Sequence, residues 1–320
     1  MRIVYFGSGE FAVPTLRALA NTAHDVVAVI TQPSRPSGRG RKLTPTPTAE
    51  WGAKLELPVI EAQNVNDPEL VNRIRGLAAR LGVVVAFGQK LGRELITSMR
   101  CGCVNVHASL LPKYRGAAPI NWAILNGELK TGVTVFRLTD RIDAGEILVQ
   151  RQTMICEDET AGELHDRLAR IGPDAIKAAL EMFEQDDEPR GYEQDATEVS
   201  VAPKLTKESG LLDFRYPATV LVRQVRAMSP WPGARGLFCS ASGSHREEVT
   251  FVGVRAVERP GEVVNRAPGT LTDLYEVVTG QGTLELHVVK PAGGRAMAWQ
   301  DFVNGRHVQP EDRFETISAS

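Results

Sequence analysis

The most chemically loaded stretch of the chain is Asn105-Val-His107-Ala-Ser109-Leu-Leu-Pro112-Lys-Tyr-Arg115-Gly-Ala-Ala-Pro119. Asn105 and His107 stand two apart, and in an extended strand such a pair projects from one face toward one point. An amide N–H at that point stabilises negative charge growing on a carbonyl oxygen, and an imidazole beside it carries a proton. A carboxylate would complete the set. Two lie downstream in Thr139-Asp140-Arg-Ile-Asp143-Ala-Gly145, and the residues alone leave both open, since Asp in a turn is common turn chemistry. Ser109 lacks the Gly-x-Ser-x-Gly elbow of a serine nucleophile. Cys101, Cys103, Cys156 and Cys239 are too scattered for a disulfide framework or a zinc site. These residues call for no metal, Schiff base or covalent enzyme intermediate.

Such groups need a rigid support, and the apolar pattern supplies one. Short continuous apolar runs at 2–6, 26–30, 83–87 and 104–107 alternate with helical spacing at 14–20, 68–81 and 92–99, the grammar of a parallel sheet covered on both faces. Asn105 and His107 fall at the carboxyl end of the 104–107 strand, where open α/β sheets bind ligands. A helix is expected over 121–126, then an edge hairpin from 132–138 and 145–151. Thr160 and Glu163 read as the capping box of a helix running to about Phe183. The polar, aperiodic 188–207 reads as a linker, and short runs at 248–254, 269–274, 275–279 and 283–289, with one helix at 218–228, point to a small β-barrel. The expected architecture is therefore a doubly wound Rossmann-like domain over 1–187, a linker over 188–207 and an OB-like barrel over 208–320.

Between the second strand and the next helix lies Arg35-Pro-Ser-Gly38-Arg39-Gly40-Arg41-Lys42, with four positive charges in eight residues. A solvated loop is the plain reading; a basic arm that reaches phosphates and base edges is the functional one. The whole chain carries a net charge of -2, which excludes a protein that coats nucleic acid non-specifically. From Lys207 onward the Lys plus Arg and Asp plus Glu counts are 13 each, so any nucleic-acid contact there depends on a one-sided face formed by folding.

The run Asn-Val-His-Ala-Ser-Leu-Leu-Pro, followed by Arg-Gly-Ala-Ala-Pro, resembles the signature of folate-dependent formyltransferases. The resemblance implies a catalytic trio of Asn105, His107 and Asp143, with Asp143 preferred to Asp140 because Ala-Gly follows it. It also implies 10-formyltetrahydrofolate as formyl donor, with the pteridine near Phe87, Gly88, Gln89 and Lys90 and further contacts from Ser109, Leu110, Leu111 and Pro112. Several acceptors share such a trio, an amino sugar nucleotide among them. The basic run is similar to the Arg-Pro-x-Gly-Arg-Gly-x-Lys-Leu loop of methionyl-tRNA formyltransferases, and Pro230-Trp-Pro232, 267–269 and 290–297 resemble their second domain. This implies methionyl initiator tRNA as acceptor, with Arg35, Gly38, Arg39, Gly40, Arg41 and Lys42 at the RNA, Arg39 discriminating and Arg41 and Lys42 on phosphates.

A rival reading comes from Gly7-x-Gly9-x-x-Ala12, a relaxed dinucleotide fingerprint of nicotinamide-dependent dehydrogenases. The acid expected to hold a ribose is replaced by Thr31-Gln32, and tight turn packing is the alternative. No basic leader with a cleavage site and no apolar run of about 18 residues is present, so an uncleaved cytoplasmic monomer off the membrane is expected.

Overall fold

The computed structural model describes residues 1–38, 40–258 and 266–318. The chain forms two compact units: Met1–Pro119, Lys130–Met154 and Leu164–Ala202 in the first, and Ile120–Leu129, Ile155–Glu163 and Pro203–Ser320 in the second. Residues 120–129 and 155–163 thus group with the C-terminal part, although the sequence reading puts them before the linker.

The main sheet of the first unit has seven strands: β1 (Arg2–Gly7), β2 (Asp25–Thr31), β3 (Val59–Glu61), β4 (Leu81–Val85), β5 (Cys103–His107), β6 (Lys130–Arg137) and β7 (Ile147–Met154). Their spatial order is β7-β6-β5-β4-β1-β2-β3. Strands β1 to β5 run parallel, while β6 and β7 are antiparallel additions beside β5. The middles of the central strands β1 and β4 are apolar because both faces are covered: Ile3 to Phe6 and Val83 to Val85 are all buried. On one face Val4, Phe6, Ala28, Ile30 and Val84 pack with Val71 and Ile74 of a helix, Pro68–Gly76. The long helix Ala161–Gln185 lies over the other face, where a Cβ at Gly172 would meet Thr15 Oγ1 at 3.0 Å and Val106 Cγ1 at 3.7 Å. Its start carries the expected capping box, with Thr160 N–H donating to Glu163 Oε2 (2.9 Å) and Glu163 N–H to Thr160 Oγ1 (3.3 Å).

Four elements depart from the sequence reading. The helix expected over 68–81 stops at Gly76, because Leu81 already begins β4, and the one expected over 92–99 is a single turn, Arg93–Ile96. Strand β3 has three residues, too few for a visible period. The part of the expected 188–207 linker up to Ala202 is bonded to this unit: Tyr192 exchanges backbone hydrogen bonds with Ile147 on β7, and Val201–Ala202 pairs in parallel with Arg115–Gly116.

The second unit contains β8 (Ala234–Cys239), β9 (Arg246–Val257), β10 (Val277–Val278), β11 (Thr283–Pro291), β12 (Met297–Ala298) and β13 (Arg313–Glu315). They are ordered β10-β11-β9-β8-β13, all antiparallel, with β12 on β11. Residues 269–271 close the ring: Gly269 N–H donates to Val278 O (2.7 Å), Phe314 N–H to Gly269 O (2.8 Å) and Leu271 N–H to Asp312 O (2.8 Å). The result is a small, nearly closed barrel. Phe314 lies in its core, with ring centroids 4.9 Å from Phe251 and 5.5 Å from Phe238. The strand expected over 269–274 supplies only this closing segment, and β8, β13 and the helix Trp299–Arg306 carry no clear sequence period. Among the described residues, no helix is long and apolar enough to cross a membrane.

Candidate active site

Strand β5 presents Cys103, Asn105 and His107 on one face, and burial of Cys103 in the core cluster anchors that face at its lower end. Asn105 is half-buried opposite Phe136 of β6, and His107 is buried opposite Thr134. The two ring nitrogens of His107 have different partners. Nε2 lies 2.9 Å from the Tyr114 carbonyl oxygen, which can only accept, so Nε2 carries a hydrogen. Nδ1 is then the position that gains or loses a proton, and it lies 3.8 Å from Asp143 Oδ2. That oxygen also accepts the Gly116 N–H at 2.9 Å, which fixes the carboxylate in front of the ring. Asp140 is exposed, so the geometry separates two acids that the residues alone left equal.

The loop after β5 is fixed from two sides. On one, Thr134 Oγ1 donates to Ser109 O (2.6 Å) and accepts from Leu111 N–H (3.1 Å), while Gln150 Nε2 donates to Leu111 O (2.8 Å). On the other, Ser200 Oγ accepts Tyr114 N–H (2.9 Å) and Ser200 O accepts Arg115 N–H (2.9 Å). Gly116 has φ +123°, and a Cβ there would stand 2.6 Å from Ala202 O. Two further residues of the loop region, Tyr114 (φ 63°) and Asp143 (φ 49°), hold the left-handed conformation that non-glycine residues seldom adopt. Such positions persist where surrounding bonds over-determine them, which is the case here.

The other expected contact residues divide by environment. Phe87 is buried in the core cluster, its ring 5.7 Å from Phe6, and Gln89 spends its amide on Ala62 O (2.8 Å) and Val65 N–H (2.9 Å). Both side chains therefore shape the 86–90 loop, and Gly88, at φ +78°, makes room for the Gln32 side chain, since a Cβ there would run into Gln32 Nε2. Ser109 donates its hydroxyl to Lys113 O (2.7 Å), a brace rather than a nucleophile. Leu111 is buried against Phe136 and Ile147, whereas Leu110 and Pro112 are half-buried at the loop's outer side.

The basic run is a two-stranded hairpin, Arg35–Ser37 with Lys42–Thr44, exposed along both strands. Arg35 Nη2 donates to Gln32 Oε1 (2.5 Å), and Gly38 and Arg41 turn the chain with φ +68° and 47°. Arg41 and Lys42 are exposed, a Cβ on Gly40 would meet only open space, and Arg39 lies outside the described residues.

Several residues of this end of the sheet carried no sequence signal. Ser8 Oγ donates to Phe87 O (3.1 Å), Gln32 Nε2 donates to the same oxygen (2.9 Å), and Thr31 shares a 2.6 Å hydrogen bond with Thr46. A Cβ on Gly7 would meet Tyr5 Cε1 at 2.8 Å and Ala12 Cβ at 2.9 Å, so the first glycine of the would-be dinucleotide fingerprint serves close packing. Thr31 and Gln32, where a ribose-binding acid would stand, are engaged in bracing the β1 and β4 turns. Thr134 was detectable in principle: a fully buried threonine inside the apolar run of β6 needs a partner. Among the described residues no three His, Cys, Asp or Glu side chains group to hold a metal ion.

Residues 1–180 match the family described as formyl transferase, and residues 204–307 match formyl transferase, C-terminal domain. The chain belongs to the formyl transferase family. It is 44% identical over 310 residues to a methionyl-tRNA formyltransferase of Halorhodospira halophila, covering 97% of each chain. It is 40% identical over 315 residues to a methionyl-tRNA formyltransferase of Moorella thermoacetica, covering 97% of this chain and 98% of that one. Among solved structures, the sugar 3N-formyl transferase WlaRD, in the presence of dTDP and 5-N-formyl-THF, shares the fold at a TM-score of 0.62 and 16% identity, over 89% of this chain and 96% of that one.

Proposed function

We propose that this enzyme transfers the formyl group of 10-formyltetrahydrofolate to the α-amino group of methionyl initiator tRNA. The observation that carries the proposal is His107 Nδ1 facing Asp143 Oδ2 at 3.8 Å, with Asn105 two residues earlier on the same strand face. The extensive similarity to relatives bearing the methionyl-tRNA formyltransferase name supports the acceptor.

The amine nitrogen attacks the formyl carbon, and the oxygen takes the electron pair. Asn105 donates a side-chain N–H to that oxygen, where one well-placed donor contributes about 3 kcal/mol. His107 Nδ1 takes the proton lost by the amine and becomes an imidazolium. Asp143 stabilises that cation; at this separation the Coulomb attraction is roughly 4 kcal/mol in a surface-like dielectric, before desolvation is subtracted. As the tetrahedral centre collapses, the bond from carbon to the folate nitrogen breaks and the same proton passes to that nitrogen. Charge and atoms balance with one N–C bond made, one broken and one proton moved. In this reading the backbone of 86–90 and the outer side of 109–112 bind the folate, the hairpin with Arg35, Gly38, Arg39, Gly40, Arg41 and Lys42 engages the RNA, and residues 208–320 add further tRNA contacts.

The test is incubation with labelled 10-formyltetrahydrofolate and four amines: methionyl initiator tRNA, elongator methionyl-tRNA, glycinamide ribonucleotide and an amino sugar nucleotide. Formylation of the initiator species at least about tenfold faster than any other amine is expected. Preferential formylation of either small amine would overturn the assignment.

A further inference from the structure

The segment 187–202 contributes one side chain whose whole hydrogen-bonding capacity is used at the candidate centre. Gln194 Oε1 accepts both Nε (3.0 Å) and Nη2 (2.7 Å) of Arg115, and its Nε2 donates to Asp143 O (2.9 Å) and Gly145 O (2.8 Å). An amide has two donor hydrogens and two acceptor lone pairs, and all four are engaged. The residue after Arg115 is Gly116, whose N–H holds the Asp143 carboxylate. Asp143 is thus gripped twice from one pair of neighbours, its side chain by Gly116 directly and its main chain by Arg115 through Gln194. Its φ of 49° is a conformation that would relax if unsupported, carrying the carboxylate away from His107. Only an amide of this length both accepts from a guanidinium and donates to two carbonyls; glutamate lacks the donors, and methionine lacks both functions.

We propose that Gln194 is a positioning residue that sets the distance between Asp143 and His107, and so determines how readily His107 accepts the amine proton. This rests on the reading of Asp143 and His107 as the reacting pair. Gln194 touches no reacting atom and acts only through Asp143.

The test is a double-mutant cycle with 10-formyltetrahydrofolate and methionyl initiator tRNA, combining Gln194→Glu with Asp143→Asn. Gln194→Glu keeps the acceptor for Arg115 and removes the donors to 143 and 145; Gln194→Met is the second variant, in case the new carboxylate disturbs folding. The expected result is a kcat lowered about tenfold or more, KM for either substrate within about threefold, and a displaced acidic limb of the kcat profile. In the Asp143→Asn background the same substitution should change kcat less than about twofold, because nothing is left to position. The proposal is overturned if kcat of both Gln194 variants stays within about twofold of the parent, or if the loss is equally large on both backgrounds, which would mark a general structural role. If Asp143→Asn itself retains the parent rate, the reading of the reacting pair fails and this inference falls with it. A disabled Asp143→Asn beside fully active Gln194 variants sinks the inference alone.

Discussion

The His107 centre and the basic hairpin belong to the same unit but are built in opposite ways. Around His107, strand pairing, two flanking side-chain networks and the 187–202 segment hold one imidazole and one carboxylate 3.8 Å apart, with almost every polar group assigned a partner. The hairpin is held by a Ser37 to Thr44 hydroxyl pair at 2.7 Å and by Arg35 on Gln32, and Arg41 and Lys42 face solvent. The contrast teaches where each kind of order has to come from. Proton transfer needs its groups placed beforehand to within fractions of an ångström, whereas contact with a large polyanion can complete its own ordering on binding.

The contrast breaks most visibly at the centre. His107→Ala and Asn105→Ala are each expected to lower formyl transfer about 100-fold or more with the thermal unfolding midpoint shifted by only a few degrees; rates within threefold of the parent would remove both residues from the chemistry. Next in size, Arg39→Ala should reduce kcat/KM for methionyl initiator tRNA about tenfold while the KM for the folate donor holds. Equal losses for both substrates would make Arg39 a structural residue. Replacing Arg41 and Lys42 together by Ala should flatten the logarithmic salt dependence of tRNA binding by about two, one for each phosphate that is no longer neutralised. An unchanged slope would place both cations off the RNA. The smallest effects compare two glycines. Gly116→Ala should cost about 1–3 kcal/mol in chemical unfolding, since its Cβ would stand 2.6 Å from Ala202 O at φ +123°, whereas Gly40→Ala, with open space around it, should stay within about 0.5 kcal/mol. Similar costs at both positions would erase the distinction between a braced loop and a free arm.

What the sequence disclosed follows the same line. The parallel strands were legible because burial on both faces leaves unbroken apolar runs, and Asn105 and His107 were legible because polar groups at the end of such a run stand out. The choice of Asp143 over Asp140 needed the family resemblance first and was then marked by geometry, since local sequence does not encode which turn residue faces a histidine 36 positions upstream. Residues 188–207 read as a linker because their part up to Ala202 is fixed by main-chain pairing and by single polar side chains such as Gln194 and Ser200, which leave no hydrophobic period. In the barrel, β8 hides behind the Arg and Gly of Ala-Arg-Gly-Leu-Phe-Cys, while Phe238 and Phe314 reveal their partnership only after the ring closes.

That closure also bears on how the chain behaves when concentrated. A flat sheet left open presents a ladder of unsatisfied amides along each border, and such ladders recruit other chains into fibres. Here residues 269–271 bond to Val278 on one side and to Asp312 and Phe314 on the other, so this short segment covers both borders of the barrel. Removing residues 311–320 would bare β8 and the outer side of 269–271 together, and a rise in light scattering from the shortened protein would register the self-association that their pairing forestalls.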